Sequence, residues 1–274
     1  MADGDLSTTH GTATLHGRAE SWECDFNGHW NTRFYCRSFD IAAGVGAALG
    51  GRSSAPVRQR HIRFHGEMHA ADPFEIRSGE IAGDRTGHVM RTHGGRIAAT
   101  ALDDVPGTGL GALAETVAAQ VLPRGLAAPP AAWRPDPARD VIVELGPVAA
   151  DEMDGDALAF EPCVARLAAA SHHHAMSIGY THDFTQESGI GRMLVEMSYL
   201  ALGPTAPGTL LRGSSRLTRA QGKSYVTAHL IHDHRGTPVA LFELCTLAVD
   251  MSARRATTLP DFVLQAVIEG EQTP

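Results

Sequence analysis

The sequence predicts an α+β fold in which one unit, a long helix followed by several antiparallel strands, occurs twice. Three observations predict it. Each half opens on an apolar helical stretch and continues as four strand-like segments. Glycine-containing turns separate those segments at hairpin spacing. A Pro-rich stretch, residues 122–137, divides the chain and cannot be helix or central strand throughout. A repeat of roughly 135 residues is too long for a solenoid, so the pattern reads as a tandem duplication. The expected units are residues 1–125 and 140–274, joined by a linker over 126–139.

In the first half, Thr32 to Leu49 reads as a helix. Phe34, Ile41, Val45 and Leu49 line one side, Tyr35, Phe39 and Ala42 are adjacent, and Gly50-Gly51 closes it. Apolar residues cover most of its circumference, which predicts a helix wrapped by a sheet. Strands follow at Val57–His65, Phe74–Ile81, His88–Thr92 and Ile97–Leu102. Turns are expected at Gly87 and Gly94-Gly95. Alternation puts Ile62 and Phe64 on one face and His61, Arg63 and His65 on the other. The second half repeats the order. A helix is expected from Pro162 to Met176, with Pro162 in its first turn, then strands at Leu194–Leu202, Thr209–Leu217, Ser224–Asp233 and Pro238–Val249. Short helices close the halves at Leu110–Val121 and Asp261–Ile268.

A chain of 274 residues that is 43% hydrophobic can bury one large core or two ordinary ones. Its net charge of −8 and lack of a basic run argue against a general nucleic-acid or anionic-membrane binder. The polar, acidic N-terminus is unlike a signal peptide, and no apolar run reaches membrane-spanning length. Cys24, Cys36, Cys163 and Cys245 have no metal-ligand spacing and read as free thiols, so a cytoplasmic location is expected.

The chemistry concentrates at Asp25-Phe26-Asn27-Gly28-His29-Trp30-Asn31-Thr32-Arg33-Phe34-Tyr35. One carboxylate and two turn formers stand directly before the first helix. A carboxylate near unsatisfied N–H groups at a helix start has the parts for acyl transfer to water. The bland alternative is an Asp that satisfies backbone N–H groups in a turn. Gly28 permits a tight turn.

This string resembles the D-x-x-G-H-x-N-x-x-(F/Y)-Y pattern of hotdog-fold acyl-CoA thioesterases, the group that includes 4-hydroxybenzoyl-CoA thioesterase. The resemblance implies two tandem hotdog domains, each a curved antiparallel sheet around a central helix, paired as a pseudo-dimer. It also implies that Asp25 attacks the thioester or activates water, that Gly28 lets the thioester approach, and that His29 orients the site. Backbone donors at Asn31 and Thr32 would then form the oxyanion hole, with Tyr35 a family aromatic more suited to packing. The substrate would be an acyl-CoA or acyl-carrier-protein thioester, with no cofactor and no metal. The opposite wall of such a site would draw on Glu196 and Ser198 of the second half, with His61 and Arg63 their analogues in the first, each of which also reads as an ordinary strand-face residue. The oligomeric state stays open, a homodimer of such chains being one arrangement the resemblance admits. The second half departs from the pattern. Asp151-Glu152-Met153-Asp154-Gly155 keeps acids and a Gly but loses the His and the Asn, with Asp151 or Glu152 standing for Asp25 in a degenerate copy.

A metal site is not expected. His61, His65 and His69 invite a zinc reading, but on a strand His61 and His65 would lie about 13 Å apart, too far for one ion. His172-His173-His174 near a helix end reads as imidazoles complementing the dipole. No G-x-S-x-G is present, which disfavours a Ser hydrolase. Two other readings remain: a hydroxyacyl thioester dehydratase, and a non-catalytic acyl-CoA or carrier-protein binding module.

Overall fold

The structure, a computed structural model, describes residues 10–25, 28–81, 84–107, 109–126 and 131–272. The chain forms two compact units. The first comprises Met1–Arg124 with Ala159–Val164, the second Gly125–Leu158 with Ala165–Pro274. Part of the linker, residues 127–130, and two motif residues, Phe26 and Asn27, lie outside the described residues.

The first unit contains β1 (Thr12–Arg18), α1 (Thr32–Leu49), β2 (Gln59–Phe64), β3 (Pro73–Ile81), β4 (Arg85–Thr92), β5 (Ile97–Asp103) and α2 (Glu115–Val121). Its strands pair antiparallel in the order β1-β3-β4-β5-β2. The second unit contains β6 (Val141–Pro147), the short pair β7 (Met153–Asp154) and β8 (Ala157–Leu158), α3 (Phe160–Ser177) and α4 (His182–Ser188). The opening residues of α3, 160–164, group with the first unit, and the second continues through β9 (Ile190–Ala201), β10 (Leu210–Gln221), β11 (Ser224–Asp233), β12 (Pro238–Asp250), β13 (Arg255–Ala256) and α5 (Asp261–Gln272). Its sheet runs β6-β10-β11-β12-β9, again antiparallel, with β13 added to β12. The two orders are the same when β6 stands for β1, β10 for β3, β11 for β4, β12 for β5 and β9 for β2.

Helix α1 has the expected bounds and is held from its start, where the Asn31 side chain accepts the Arg33 N–H at 3.0 Å. Its buried side differs from the expected one. Tyr35, Cys36, Ser38, Phe39, Ala42 and Gly46 are buried, whereas Ile41, Val45 and Leu49 are 45%, 36% and 58% exposed. The sheet covers one face of α1 and does not wrap it, so the small residues Ala42 and Gly46 go inward and let the helix approach β1, β3 and β4 closely.

Other corrections follow from packing. Gly87 is no turn residue but lies inside β4 opposite Gly79. A Cβ there would stand 2.5 Å from Ile81 Cδ1 and 2.7 Å from Leu113 Cδ1, so any larger residue would push these side-chain ends aside. The segment from Leu110 is helical only from Glu115; before that it is extended, with Ala112 bridged to Glu80. Strands β1 and β6 and helix α4 carry no periodicity strong enough to be expected from the sequence. His174 is buried against His229, ring centroids 6.0 Å apart, and burial pushes its pKa down to about 4. It is a neutral packing residue and not a charged partner of the α3 dipole. All four cysteines are free. Among the described residues no helix is long and apolar enough to cross a membrane.

A chain of buried polar groups crosses the first sheet on the side facing α1. Thr14 Oγ1 meets Ser78 Oγ at 2.7 Å, Ser78 Oγ meets His88 Nδ1 at 2.7 Å, and His88 Nε2 lies 3.3 Å from Asp103 Oδ2. Arg60 donates to both Asp103 oxygens at 2.6 Å and to Asp40 of α1 at 2.5 Å. Arg60, His88 and Asp103 are fully buried. Burial alone would raise the Asp103 carboxyl, but the Arg60 guanidinium beside it holds it well below its ordinary 3.8. Its contribution to stability is therefore whole above the unfolded pKa and is lost as the pH falls below it. Asp103→Asn leaves the Arg60 charge buried without its main partner, and urea titration should show a loss of about 3–5 kcal/mol. Wild-type stability in the same assay should decline as the pH is lowered through 3.8.

Candidate active site

The motif forms a closed turn ahead of α1. A short 3-10 turn, Ser21–Glu23, leads in. Cys24 then bridges Trp30, closing a loop whose backbone is laced together. The Asp25 N–H donates to the His29 carbonyl at 2.8 Å, the Gly28 N–H to the Asp25 carbonyl at 2.9 Å, and the His29 N–H to Asp25 Oδ1 at 3.0 Å. Gly28 takes φ +77°, a left-handed conformation that glycine adopts without strain, and a Cβ there would meet nothing within 4 Å. Asp25 is exposed. One of its oxygens is thus engaged in the loop's own backbone.

Beneath the loop, Glu23 is buried and accepts from Trp30 Nε1 at 2.8 Å and from the Arg37 guanidinium of α1. Trp30 packs at a tilt against Tyr35, ring centroids 4.6 Å apart, and Tyr35 meets Phe64 edge-on at 5.7 Å. The Tyr35 hydroxyl accepts the Met68 N–H at 2.9 Å, and burial pushes its pKa up to about 12. Tyr35 therefore packs the site from below as a neutral group.

At the start of α1 the Asn31 N–H donates to the Glu23 carbonyl at 3.0 Å, and the Phe34 N–H to the Asn31 carbonyl at 2.9 Å. With Arg33 capped by the Asn31 side chain, Thr32 carries the first-turn amide that has no acceptor among the described residues. Of the two oxyanion donors expected, Asn31's is already engaged and Thr32's is available.

The structure adds Glu67, which sequence reasoning missed, and His69, which it weighed only as a zinc candidate with His61 and His65. Glu67 Oε2 lies 3.4 Å from His29 Nε2, and the His69 ring meets the His29 ring edge-on at 5.2 Å. A backbone bridge between His29 and His69 sets them side by side. One donor atom from each of His29, Glu67 and His69 lies within 4.8 Å of the others, a set able to hold a cation. Glu67 and His69 stand about 40 residues from the motif with no spacing rule linking them. The only signal was their i, i+2 placement just past β2.

His61 and Arg63 are not brought to the α1 N-terminus. They share the sheet face opposite α1, where His61 is opposite Leu102, a residue packed with Val117 and Val121 of α2. Arg63 donates to the carbonyls of Gln120 and Leu122 at 2.9 and 3.2 Å, closing the end of α2. In the second unit, Tyr199 and His229 flank Phe242 on the face that carries α3, so alternation turns Glu196 and Ser198 to the other face. Both are buried, and Glu196 accepts the Gly125 N–H at 2.7 Å.

The second unit repeats the frame of the loop. A 3-10 turn, Ala150–Glu152, leads into β7 and β8, and Glu152 pairs with Arg166 of α3 at 2.7 Å. Arg166 follows Glu152 by 14 residues, as Arg37 follows Glu23. Glu152 is therefore the counterpart of Glu23, and Asp154, two residues on, is the counterpart of Asp25. This corrects the expected match of Asp151 or Glu152 with Asp25. Gly155, φ +64°, serves as Gly28 does. No histidine follows it within the loop.

No family model and no curated protein sequence matches the chain. Solved structures do. A candidate oleoyl thioesterase from Lactobacillus plantarum superposes with a TM-score of 0.60 at 11% identity, covering 90% of this chain and 98% of its own. A 12:0-ACP thioesterase from Umbellularia californica gives 0.60 at 13% over the same shares. An acyl-ACP thioesterase from Bacteroides thetaiotaomicron gives 0.54 at 9%, covering 90% of this chain and all of that one. The fold is the double hotdog of these proteins.

Replacing the cap, Asn31→Ala, should lower thermal stability by about 1 kcal/mol, while Asn31→Asp should retain most of it, because either oxygen can accept the Arg33 N–H. Differential scanning calorimetry of the two variants reads the difference.

Proposed function

We propose that this protein hydrolyses an acyl thioester, carried on coenzyme A or an acyl carrier protein, to the free acid and the thiol. The observation that carries the reading is the Asp25–Thr32 turn. It holds a carboxylate by the His29 amide and presents an open helix-start amide, Thr32, on the same short loop. That solved proteins of the same fold include acyl-ACP thioesterases supports it.

The thioester carbonyl would rest against the Thr32 N–H, which stabilises the oxyanion as the carbonyl carbon becomes tetrahedral, a contribution of about 3 kcal/mol per donor. Asp25 has two routes. As general base it takes a proton from water while the hydroxide adds to the carbonyl, then returns the proton to the departing thiolate. As nucleophile it forms a mixed anhydride with loss of thiolate, and water opens the anhydride. Glu67 faces His29 Nε2 and holds the ring, while the His29 backbone holds Asp25, so His29 acts by positioning. Glu23, Trp30 and Tyr35 fix the loop to the helix from below.

One observation favours a second reading, a non-catalytic acyl-thioester binding module: the exposed Asp25 carboxylate has an oxygen committed to its own loop, as a purely structural brace would. Two measurements separate the readings. Free-thiol release over a panel of acyl-CoAs should be lowered about 10²–10⁴-fold in turnover by Asp25→Asn, with circular dichroism unchanged. Isothermal titration with a non-hydrolysable acyl-CoA reports binding alone. Thiol release at the wild-type rate in Asp25→Asn would overturn the catalytic assignment, and tight binding without release establishes the module.

A further inference from the structure

The geometry points to a divalent transition-metal site, of zinc-like preference, formed by His29, Glu67 and His69. The inference goes beyond the thioester reading and does not depend on it, although it uses two side chains of the same loop cluster.

Three features argue for it. The first is donor convergence: two imidazoles and one carboxylate offer donor atoms within 4.8 Å of one another. Ligands about 2.0–2.2 Å from a tetrahedral ion stand roughly 3.4 Å apart. The Glu67–His29 pair is at 3.4 Å already. The remaining closure falls to the His69 ring, half exposed and able to turn.

The second is how the donors are held. The His29–His69 backbone bridge fixes their spacing, and Trp30 N–H donating to the Met68 carbonyl at 2.7 Å extends the same register. Glu67 and His69 flank Met68 and so extend to one side of the segment, while buried Met68 goes to the other.

The third is the outer shell. Asp72 accepts the His69 N–H at 2.9 Å and stands 3.9 Å from His69 Nδ1. A small ring rotation would let that carboxylate accept from Nδ1, which fixes the tautomer that offers Nε2 to a metal. A mixed nitrogen–oxygen set of this kind suits zinc and its neighbours better than magnesium or calcium, which prefer oxygen alone.

The test is zinc titration of the chelator-treated full chain against a chromogenic chelator, with cobalt absorption as a second readout. One equivalent should bind to the wild type. His69→Ala and Glu67→Gln should each weaken binding at least about tenfold, with circular dichroism confirming the fold of both. A double variant, His172→Ala with His173→Ala, controls for the exposed histidines of α3 and should bind as the wild type does. Cobalt should give visible bands of a four-coordinate site that disappear in His69→Ala. Failure to bind one equivalent overturns the inference. Binding unaffected by His69→Ala and Glu67→Gln overturns it as well, as does binding abolished by the α3 double variant. Thiol release by the chelator-treated enzyme is a separate measurement, so either idea can fail alone.

Discussion

The ion pair between Arg60 and Asp103 organises the first unit. It is the only part of the polar chain that brings full charges into the core, and it does so with no solvent to share the burden. Two ions taken out of water are tolerated only where the geometry is close and the remaining donors are satisfied. Here both conditions hold. The fork is bidentate, and the third guanidinium donor goes to Asp40 on α1. The chain that begins there passes through His88 and Ser78 to Thr14, so each of the five strands and the helix contributes one link. Neighbouring strands cannot slip by a residue without turning one of these groups to the wrong face. The position of α1 over the sheet, and hence of the loop that precedes it, is set by this network as much as by apolar burial.

On its sheet face toward α3 the second unit solves the same problem without charges. Its sheet face toward α3 keeps a serine–histidine cross-strand pair, Ser215 with His229 at 2.7 Å, in the place of Ser78 with His88. The far side of that histidine meets Thr227 rather than an aspartate. His229 is held neutral chiefly by burial. Ser214 and His232 form a second such contact nearby. The sheet face toward the long helix is thus pinned in the first unit by a charged chain and in the second by neutral hydrogen bonds, while the second unit's buried Asp140 pairs with Arg216 elsewhere.

The repeated helix-and-strand order was legible in the sequence because period and turn residues speak locally. The bounds of α1 and β11 follow from apolar spacing and flanking glycines. The buried side of α1 was not legible. Its large apolar residues are the exposed ones, and what decides burial is which face carries residues small enough to approach a sheet. Arg60 and Asp103 look like ordinary charged strand residues until the fold places them together. At the site, Asp25, Gly28, His29 and Asn31 were legible as one contiguous string with turn and cap chemistry. Glu67 and His69 were not, since only the backbone bridge to His29 brings them there. His61 and Arg63 lie on the face opposite α1, and alternation, which separates the two faces correctly, does not say which of them a helix will cover.

The Glu–Arg clamp spaced 14 residues apart in both halves makes the duplication its own ablation experiment. The short lead-in turn, the acid that pairs with the helix arginine and the left-handed glycine recur at the entrance to the second long helix, whereas the Asn cap does not. Nor do the imidazole and its acidic neighbour. The frame of the helix entrance and the side chains displayed on it thus vary independently between the two halves.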